Sequence, residues 1–513
     1  METGEILVID LFAGPGGLGE GVSSCMHENG NYPFKIGVSV EKEPSAHTTL
    51  TTRALYRKLK DNPESLSDYF RYLEGRISRK ELFELYPQLA VEAMAETLDS
   101  PRALGADNTI IHARIRELVD SHVGPKVVIG GPPCQAYSLA GRSRNAGNKD
   151  YRAETDSRNF LYKEYLEVLS IAQPDIFVME NVRGILSAKV GGELVFPKIL
   201  NDLRNPGIVT GNSKIKGYRV YSLVHEAEEP LNPDYLNFSD YLIKAEEYGV
   251  PQARHRVILL GVREDISKIP NVLSTFDSEV TVEQVIGDLP HLRSGISKKK
   301  DSEVEWRKLV TENSERVFGL LEGKFGWGVA QNVVGKLRPK SGLKRKETAN
   351  NHEQGMLPEH LKSWYKNNCP SVILNHETRT HMDTDLARYA YSAGYTELNR
   401  GICPKSRDYP DELAPQHENW KSGSHADRFR TQAANKCATT VTSHISKDGH
   451  YFIHYDPSQC RSLTVREAAR LQTFPDNYLF EGTRTQQYVQ VGNAVPPYLA
   501  KQLGEIVLKV LSY

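Results

Sequence analysis

Cysteine is scarce in this chain, with six in 513 residues, and the six form no C-x-x-C pair and sit at no ligand spacing from histidines. The scatter of Cys25, Cys134, Cys369, Cys403, Cys437 and Cys460 argues against a disulfide framework and against a zinc or other metal site, and predicts reduced thiols. No run approaches the ~20 apolar residues of a membrane span. METGEILVIDLFAG begins a strand-like pattern with no basic segment and apolar stretch ahead of it. These absences predict a soluble, cytoplasmic protein with no membrane partner. Neither charge sign is in surplus: 64 Lys and Arg stand against 65 Asp and Glu, so net charge alone neither requires nor forbids a polyanionic partner. Internal repeats and low-complexity tracts are missing too.

What is present is length and alternation. The chain is roughly three times a domain of ~150 residues, so two or more domains are expected. The runs ILVID, FKIGVSVE, KVVIGG, DIFVME, YRVYSLVHE and RVILLGV read as buried strands, with helical spacing over 109–120 and 158–172 between them. That order predicts an α/β fold, a Rossmann-like, doubly wound, mostly parallel sheet whose ligands bind beyond the carboxyl ends of its strands. Residues 45–108 interrupt the alternation with a polar stretch rich in Arg and Glu, whose apolar residues recur at helical intervals, and read as an inserted helical subdomain. After about residue 265 the chain becomes loop-rich and locally basic, with KKK at 298–300, GKFGWG, and KLRPKSGLKRKE at 336–347. Thr464 and Glu467 then form a T-x-x-E capping box, and Pro496 and Pro497 open a last apolar helix. The expected division is a main unit over 1–265, a smaller second domain over 266–460, and a segment over 461–513 that returns to the first.

Three places carry chemistry. DLFAGPGGLGEG, residues 10–21, follows the first strand, and its glycines allow a tight turn and close approach of a ligand to the backbone. No Gly-Lys-Ser/Thr follows, which removes a nucleoside triphosphate, and Glu41 closes the next strand where an acid can bind ribose hydroxyls. NAD and S-adenosylmethionine both satisfy this pattern, and a plain tight turn is the bland alternative. In GGPPCQAYS, residues 130–138, two prolines stiffen the chain before Cys134 at a strand end. A thiol with its ordinary pKa of ~8.5 is mostly protonated at neutral pH, so a nucleophilic role needs nearby positive charge or donors. Glu180 in MENVRG ends another strand, and Arg254 and Arg256 in PQARHR precede RVILLGV. Singly, these are a structural cysteine, a helix-capping acid and solvated arginines. Together they place a thiol, a carboxyl and guanidinium groups on strand ends.

FAGPGG, PPCQAYS, ENVRG, QARHR, LTVREAARLQTFPD and QVGNAVPP, in this order, closely resemble the motifs of the DNA cytosine carbon-5 methyltransferases. The resemblance spans roughly residues 5–262 and 430–510. It implies that Phe12, Ala13, Gly14, Gly16, Glu41 and Asn493 line a pocket for S-adenosylmethionine, and that Cys134, Glu180 and Arg256 hold the cytosine with support from Arg254. Gln135, Ser138, Thr440 and Val441 would face the target. Cytosine carbon 5 is a poor nucleophile, so a thiolate must first add at carbon 6. Glu180 would neutralise ring nitrogen 3, and Arg256 would clamp the ring oxygen. The target base must leave the duplex stack for this.

By the same resemblance, 266–460 holds the target-recognition domain, in which the six basic residues between Lys336 and Lys346 offer phosphate contacts or form a solvated charge run. Two departures stand out. The acid that usually meets the adenine amine is replaced by Arg114 in HARIREL, and Lys42 follows Glu41 where an apolar or aromatic residue is usual. The implied activity is sequence-specific methylation of duplex DNA by a monomer, in a restriction-modification or defence system with a cognate endonuclease or defence partner. RNA cytosine methylation is the alternative. A non-catalytic DNA-binding regulator would be expected to lack the cysteine or the carboxyl, and an NAD-dependent oxidoreductase leaves PPCQ, ENV and QARHR without roles.

Overall fold

The computed structural model describes residues 4–133, 161–298, 300–349, 356–415, 420 and 427–512. All six runs read as strands form strands: β1 (Ile6–Leu11), β2 (Phe34–Val40), β3 (Lys126–Gly130), β4 (Ile176–Val182), β5 (Tyr218–Tyr221) and, after a short β6 (Leu242–Lys244) and β7 (Gln252–Ala253), β8 (His255–Arg263). YRVYSLVHE is extended only over its first four residues. The Ser222 hydroxyl accepts from the N–H groups of Val224 and His225 at 3.0 and 3.1 Å, which turns the chain out of the sheet.

The main sheet has the order β2, β1, β3, β4, β8, β5, with β6 also on β8. β2, β1, β3 and β4 run parallel, and β8 runs antiparallel to β4. Both faces are covered, as the unbroken apolar runs require. Ile6 and Val8 of β1 point into one apolar cluster and Ile9 and Leu11 into another.

Helices fall where spacing places them: α1 (Gly17–Ser23) after β1, α6 (Asn108–Ser121) before β3 and α7 (Leu161–Ala172) before β4. The stretch 45–108 folds into α2 (Pro44–Leu59), α3 (Pro63–Leu73), α4 (Arg79–Leu85) and α5 (Pro87–Glu96). α2 is more than an appendage. Its Arg53 is buried against Glu20 of α1, with its guanidinium 3.8 Å over the Tyr56 ring and 4.5 Å over the Tyr478 ring.

The segment after 461 closes on the sheet through α8 (Val465–Leu471), α9 (Arg484–Asn493) and α10 (Pro497–Leu511). The capping box forms in full: the Thr464 hydroxyl accepts from the Glu467 N–H at 3.2 Å, and the Glu467 carboxylate accepts from the Thr464 N–H at 2.7 Å. α10 lies on α1 at backbone contact, since a Cβ at Gly17 or Gly21 would fall 2.2 Å from the carbonyl oxygen of Val495 or Pro497. A further apolar cluster takes Val282 and Ile286 together with Val441, Leu463, Leu471 and Tyr488, so side chains on both sides of residue 460 share one core.

Candidate active site

Register assembles the site. Leu11 is paired with Val40 on one side and with Gly130 on the other, and Gly130 is paired with Met179, so the last residues of β2, β1 and β3 and the C-terminal part of β4 form one edge. A parallel β8 would bring its last residues to that edge. It runs the other way, and its first residues do: Arg256 is paired with Val182. The Arg256 Nε therefore meets Glu180 Oε1 at 2.8 Å, both side chains being about nine-tenths shielded, at 15 % and 13 % exposure. The antiparallel direction, which the strand pattern did not specify, is what joins ENV to QARHR.

The GG of GGPPC is explained by close approach. A Cβ at Gly130 would lie 2.6 Å from the Leu11 carbonyl oxygen, and one at Gly131 would lie 2.7 Å from a Glu180 carboxylate oxygen. The Asn181 side-chain amide donates to the Pro132 carbonyl at 3.1 Å, and its oxygen accepts from the Val182 N–H at 2.8 Å. Asn181 thus ties the chain leading to Cys134 to the strand that carries Glu180. Sequence reading quoted this asparagine and gave it no role, because it acts on backbone. Cys134, Gln135 and Ser138 lie outside the described residues.

Arg254 precedes Arg256 by two residues. It is buried, and its guanidinium donates to the Val441 carbonyl at 2.9 Å and to the Gly492 carbonyl at 3.4 Å. Burial pushes its pKa well down, the Arg256 charge acts the same way, and Glu180 opposes both. The Thr440 hydroxyl donates to the Ala253 carbonyl at 2.5 Å, and the Val441 N–H donates to Gln252 Oε1 at 2.7 Å. Val441 is fully buried in the apolar core, so its side chain does not face a target; its peptide anchors Thr440.

The glycine turn lies at the same edge. Phe12, Gly14 and Gly16 have φ of 55°, 58° and 97°, and the Ala13 N–H donates to the Val40 carbonyl at 3.0 Å. Glu41 accepts from the Gly14 N–H at 2.8 Å and the Glu43 N–H at 2.7 Å. Burial raises its pKa, and backbone N–H groups of Glu43, Gly14 and Lys42 oppose the rise. A Cβ on Gly14 would meet no atom within 4 Å, so the turn presents bare backbone to open space, with exposed Asn493 ending α9. An open approach to the backbone at Gly14, with a carboxylate one strand away, fits a nucleoside-bearing cofactor.

Beneath the turn, Asp10 was left without a role by sequence reading. Both its carboxyl oxygens and the hydroxyl of its strand partner Ser39 are buried without a hydrogen bond. Burial pushes Asp10 up to about 8; Arg57 opposes, and Glu96 and Glu41 add to the rise. Arg114 does not take the place of an adenine-contacting acid. It lies on α6 and pairs with Glu117 three residues on, at 2.9 Å. The chain beside Glu41 is instead the turn before α6, where the Arg102 N–H donates to the Glu41 carbonyl at 2.8 Å.

After residue 265, a cavity of about 680 Å³ is lined by Lys336, Arg338 and Lys340 together with Glu283, Asp288 and Asp456. Among the described residues, no cluster of His, Cys, Asp and Glu could hold a metal ion, and no helix is long and apolar enough to cross a membrane.

The sequence model of one family, described as C-5 cytosine-specific DNA methylase, matches residues 107–509. The chain belongs to that family. Among its relatives, the type II methyltransferase M.Bpa9945I of Bacillus paralicheniformis is 33 % identical, covering 99 % of each chain. The DNA (cytosine-5-)-methyltransferase M.ApeKI of Aeropyrum pernix is 27 % identical over 80 % of this chain and 88 % of its own. A crystal structure described as a DNA modification methyltransferase encoded within an E. coli prophage shares the fold, with a TM-score of 0.53, 19 % identity and 99 % coverage of each chain. As a C-5 cytosine-specific DNA methylase, the protein is an enzyme acting on DNA, and the edge built from Gly130, Glu180 and Arg256 is its candidate active site.

Proposed function

We propose that this methylase transfers a methyl group to carbon 5 of a cytosine flipped out of duplex DNA at a specific sequence. S-adenosylmethionine, held by Phe12, Ala13, Gly14, Gly16, Glu41 and Asn493, supplies the methyl group when bound. Cys134, the residue after Pro133, adds as thiolate to carbon 6 and makes carbon 5 electron-rich. Glu180 holds a proton at ring nitrogen 3, where the electrons of that addition collect. Arg256 keeps the Glu180 carboxyl oriented through their 2.8 Å contact and donates to the ring oxygen. A base or water then takes the carbon 5 proton, its electrons re-form the double bond between carbons 5 and 6, and the carbon–sulfur bond breaks to release the Cys134 thiolate. Gln135, Ser138 and Thr440 contact the target strand, and Arg254 braces Arg256.

What carries this reading is the shielded pair of Glu180 and Arg256 at the strand edge from which the Pro132 and Pro133 chain departs. The relatives' names as type II methyltransferases support a place in a restriction-modification system with a cognate endonuclease. The enzyme works as a monomer on its duplex, in the cytoplasm.

The test is incubation with labelled S-adenosylmethionine and either duplex DNA or transfer RNA, followed by sequencing of the modified positions. Label is expected in cytosines of one duplex context and none in RNA. A duplex bearing 5-fluorocytosine at that position lacks the proton that must leave, so it should trap a covalent adduct on the wild-type protein and none on Cys134→Ser. Turnover by Cys134→Ser overturns the mechanism.

A further inference from the structure

Two buried glutamines join the target side of the site to its cofactor side. Gln252, in β7, is fully buried, as is Gln472, just past the end of α8. The Val441 N–H donates to Gln252 Oε1 at 2.7 Å; Gln252 Nε2 donates to Gln472 Oε1 at 2.6 Å; Gln472 Nε2 donates to the carbonyls of Val491 and Ala494 at 2.9 and 2.8 Å. Gln252 Nε2 also donates to the Leu471 carbonyl at 3.0 Å. Apart from the bond to Leu471, the bonds run in one direction, from the residue after Thr440 to the turn that holds Asn493. Neither amide can flip without placing donor against donor or acceptor against acceptor in a water-free interior.

The same two chain segments also touch directly. A Cβ on Gly492 would fall 2.2 Å from the backbone of Thr442 and Ser443, and Arg254 donates to both Val441 and Gly492. The Thr440 segment and the Asn493 turn are therefore held against the first residues of the catalytic strand by three side chains, Gln252, Arg254 and Gln472. Of these, Gln472 alone makes its side-chain hydrogen bonds to Gln252, Val491 and Ala494, and so connects to the Thr440 segment by way of Gln252. Displacement of one segment must be transmitted to the other or break a buried hydrogen bond.

We propose that Gln472 is a positioning residue that couples the two ligands: ordering of the Asn493 turn by cofactor orders the Thr440 segment for target DNA, and the reverse. The proposal rests on the reading of the site given above. Coupling of this kind is reciprocal, so it is measured from either side.

The experiment titrates S-adenosylhomocysteine into the full-length enzyme, with and without its target duplex, and compares wild type with Gln472→Met and Gln252→Met. The duplex is expected to tighten S-adenosylhomocysteine binding to wild type by about 5-fold or more. In each variant the factor should fall below that of wild type, the Arg254 bridge and the Gly492 contact retaining part of it, and KM for duplex should become less sensitive to cofactor concentration, while kcat at saturation of both changes less than KM. Gln252→Met breaks the relay without touching the Asn493 turn, so it gives the answer if Gln472→Met does not fold. An unchanged coupling factor in a folded variant, or a factor of one in wild type, overturns the proposal. Neither result touches the functional reading, which is tested separately by methylation of duplex by wild type and its loss in Cys134→Ser.

Discussion

At the exit edge of the sheet, charged side chains meet across paired strands; in the segment 336–346, they meet side chains spread over the part of the chain after residue 265. Glu180 and Arg256 are about nine-tenths shielded and set by the pairing of Arg256 with Val182. In the basic segment, Lys344 pairs with Glu347 at 3.0 Å, Arg345 with Asp301 at 3.1 Å, Lys336 with Glu397, and Lys340 meets His291 at 3.0 Å. Lys336, Lys340 and Lys344 are exposed, and exposed pairs contribute only about 0–1 kcal/mol each and are screened by salt. Arg338 and Lys346 have no such partner among the described residues. One region presents a fixed geometry suited to chemistry. The other presents exchangeable charge, suited to a ligand such as a phosphate backbone.

The contrast can be broken at its strongest point first. Glu180→Gln should lower the single-turnover methylation rate by about 10²- to 10⁴-fold, as loss of a general acid does, with duplex affinity within about 3-fold of wild type. If affinity falls and rate does not, the edge is a binding surface like the other region.

The next test uses burial. Asp10 sits at about 8 in the folded protein against an ordinary 3.8, so between those values the native state holds a proton that the unfolded chain has released. Stability should therefore fall by about 1.4 kcal/mol per unit as pH rises through that window. Asp10→Asn should remove the slope, read from unfolding midpoints between pH 5 and 8, whereas the exposed charges of 336–346 should leave no such signature.

Steric comparison sharpens the difference further. Gly131→Ala puts a methyl group against the Glu180 carboxylate and should cost about 10-fold in rate. Gly319→Ala, on the helix Glu303–Phe325 where the new Cβ meets nothing within 4 Å, should leave the rate unchanged and stabilise the fold by about 0.5–1 kcal/mol. The smallest expected effect is on salt dependence. Arg338→Ala should reduce the slope of log affinity against log salt by about one, measured by equilibrium binding, and Arg345→Ala, held by Asp301 and the Thr378 carbonyl, should change it less.

The strand-edge cluster was legible because its residues announce themselves by type and setting: glycines after a strand, an acid and arginines at strand ends. Gln252, Gln472 and Asn181 were not, although each stands inside a quoted motif. Apart from the bond between the two glutamines, their partners are peptide groups from segments up to 219 residues away, and nothing in the local chain marks an amide that holds backbone rather than ligand. The interruption at 45–108 was legible as helices, but the burial of Arg53 between Glu20, Tyr56 and Tyr478 depends on residues from both ends of the chain.

The amino-acid order alone determined the strands, the capped helices and the reactive residue types, because apolar periodicity, capping boxes and proline act over a few residues. The direction of β8, the removal of the Val441 side chain from the cleft, and the turn beside Glu41 in place of Arg114 were decided only by tertiary structure. Each is set by hydrogen bonds and packing between distant segments, and such contacts have no energy until the chain has brought both partners together.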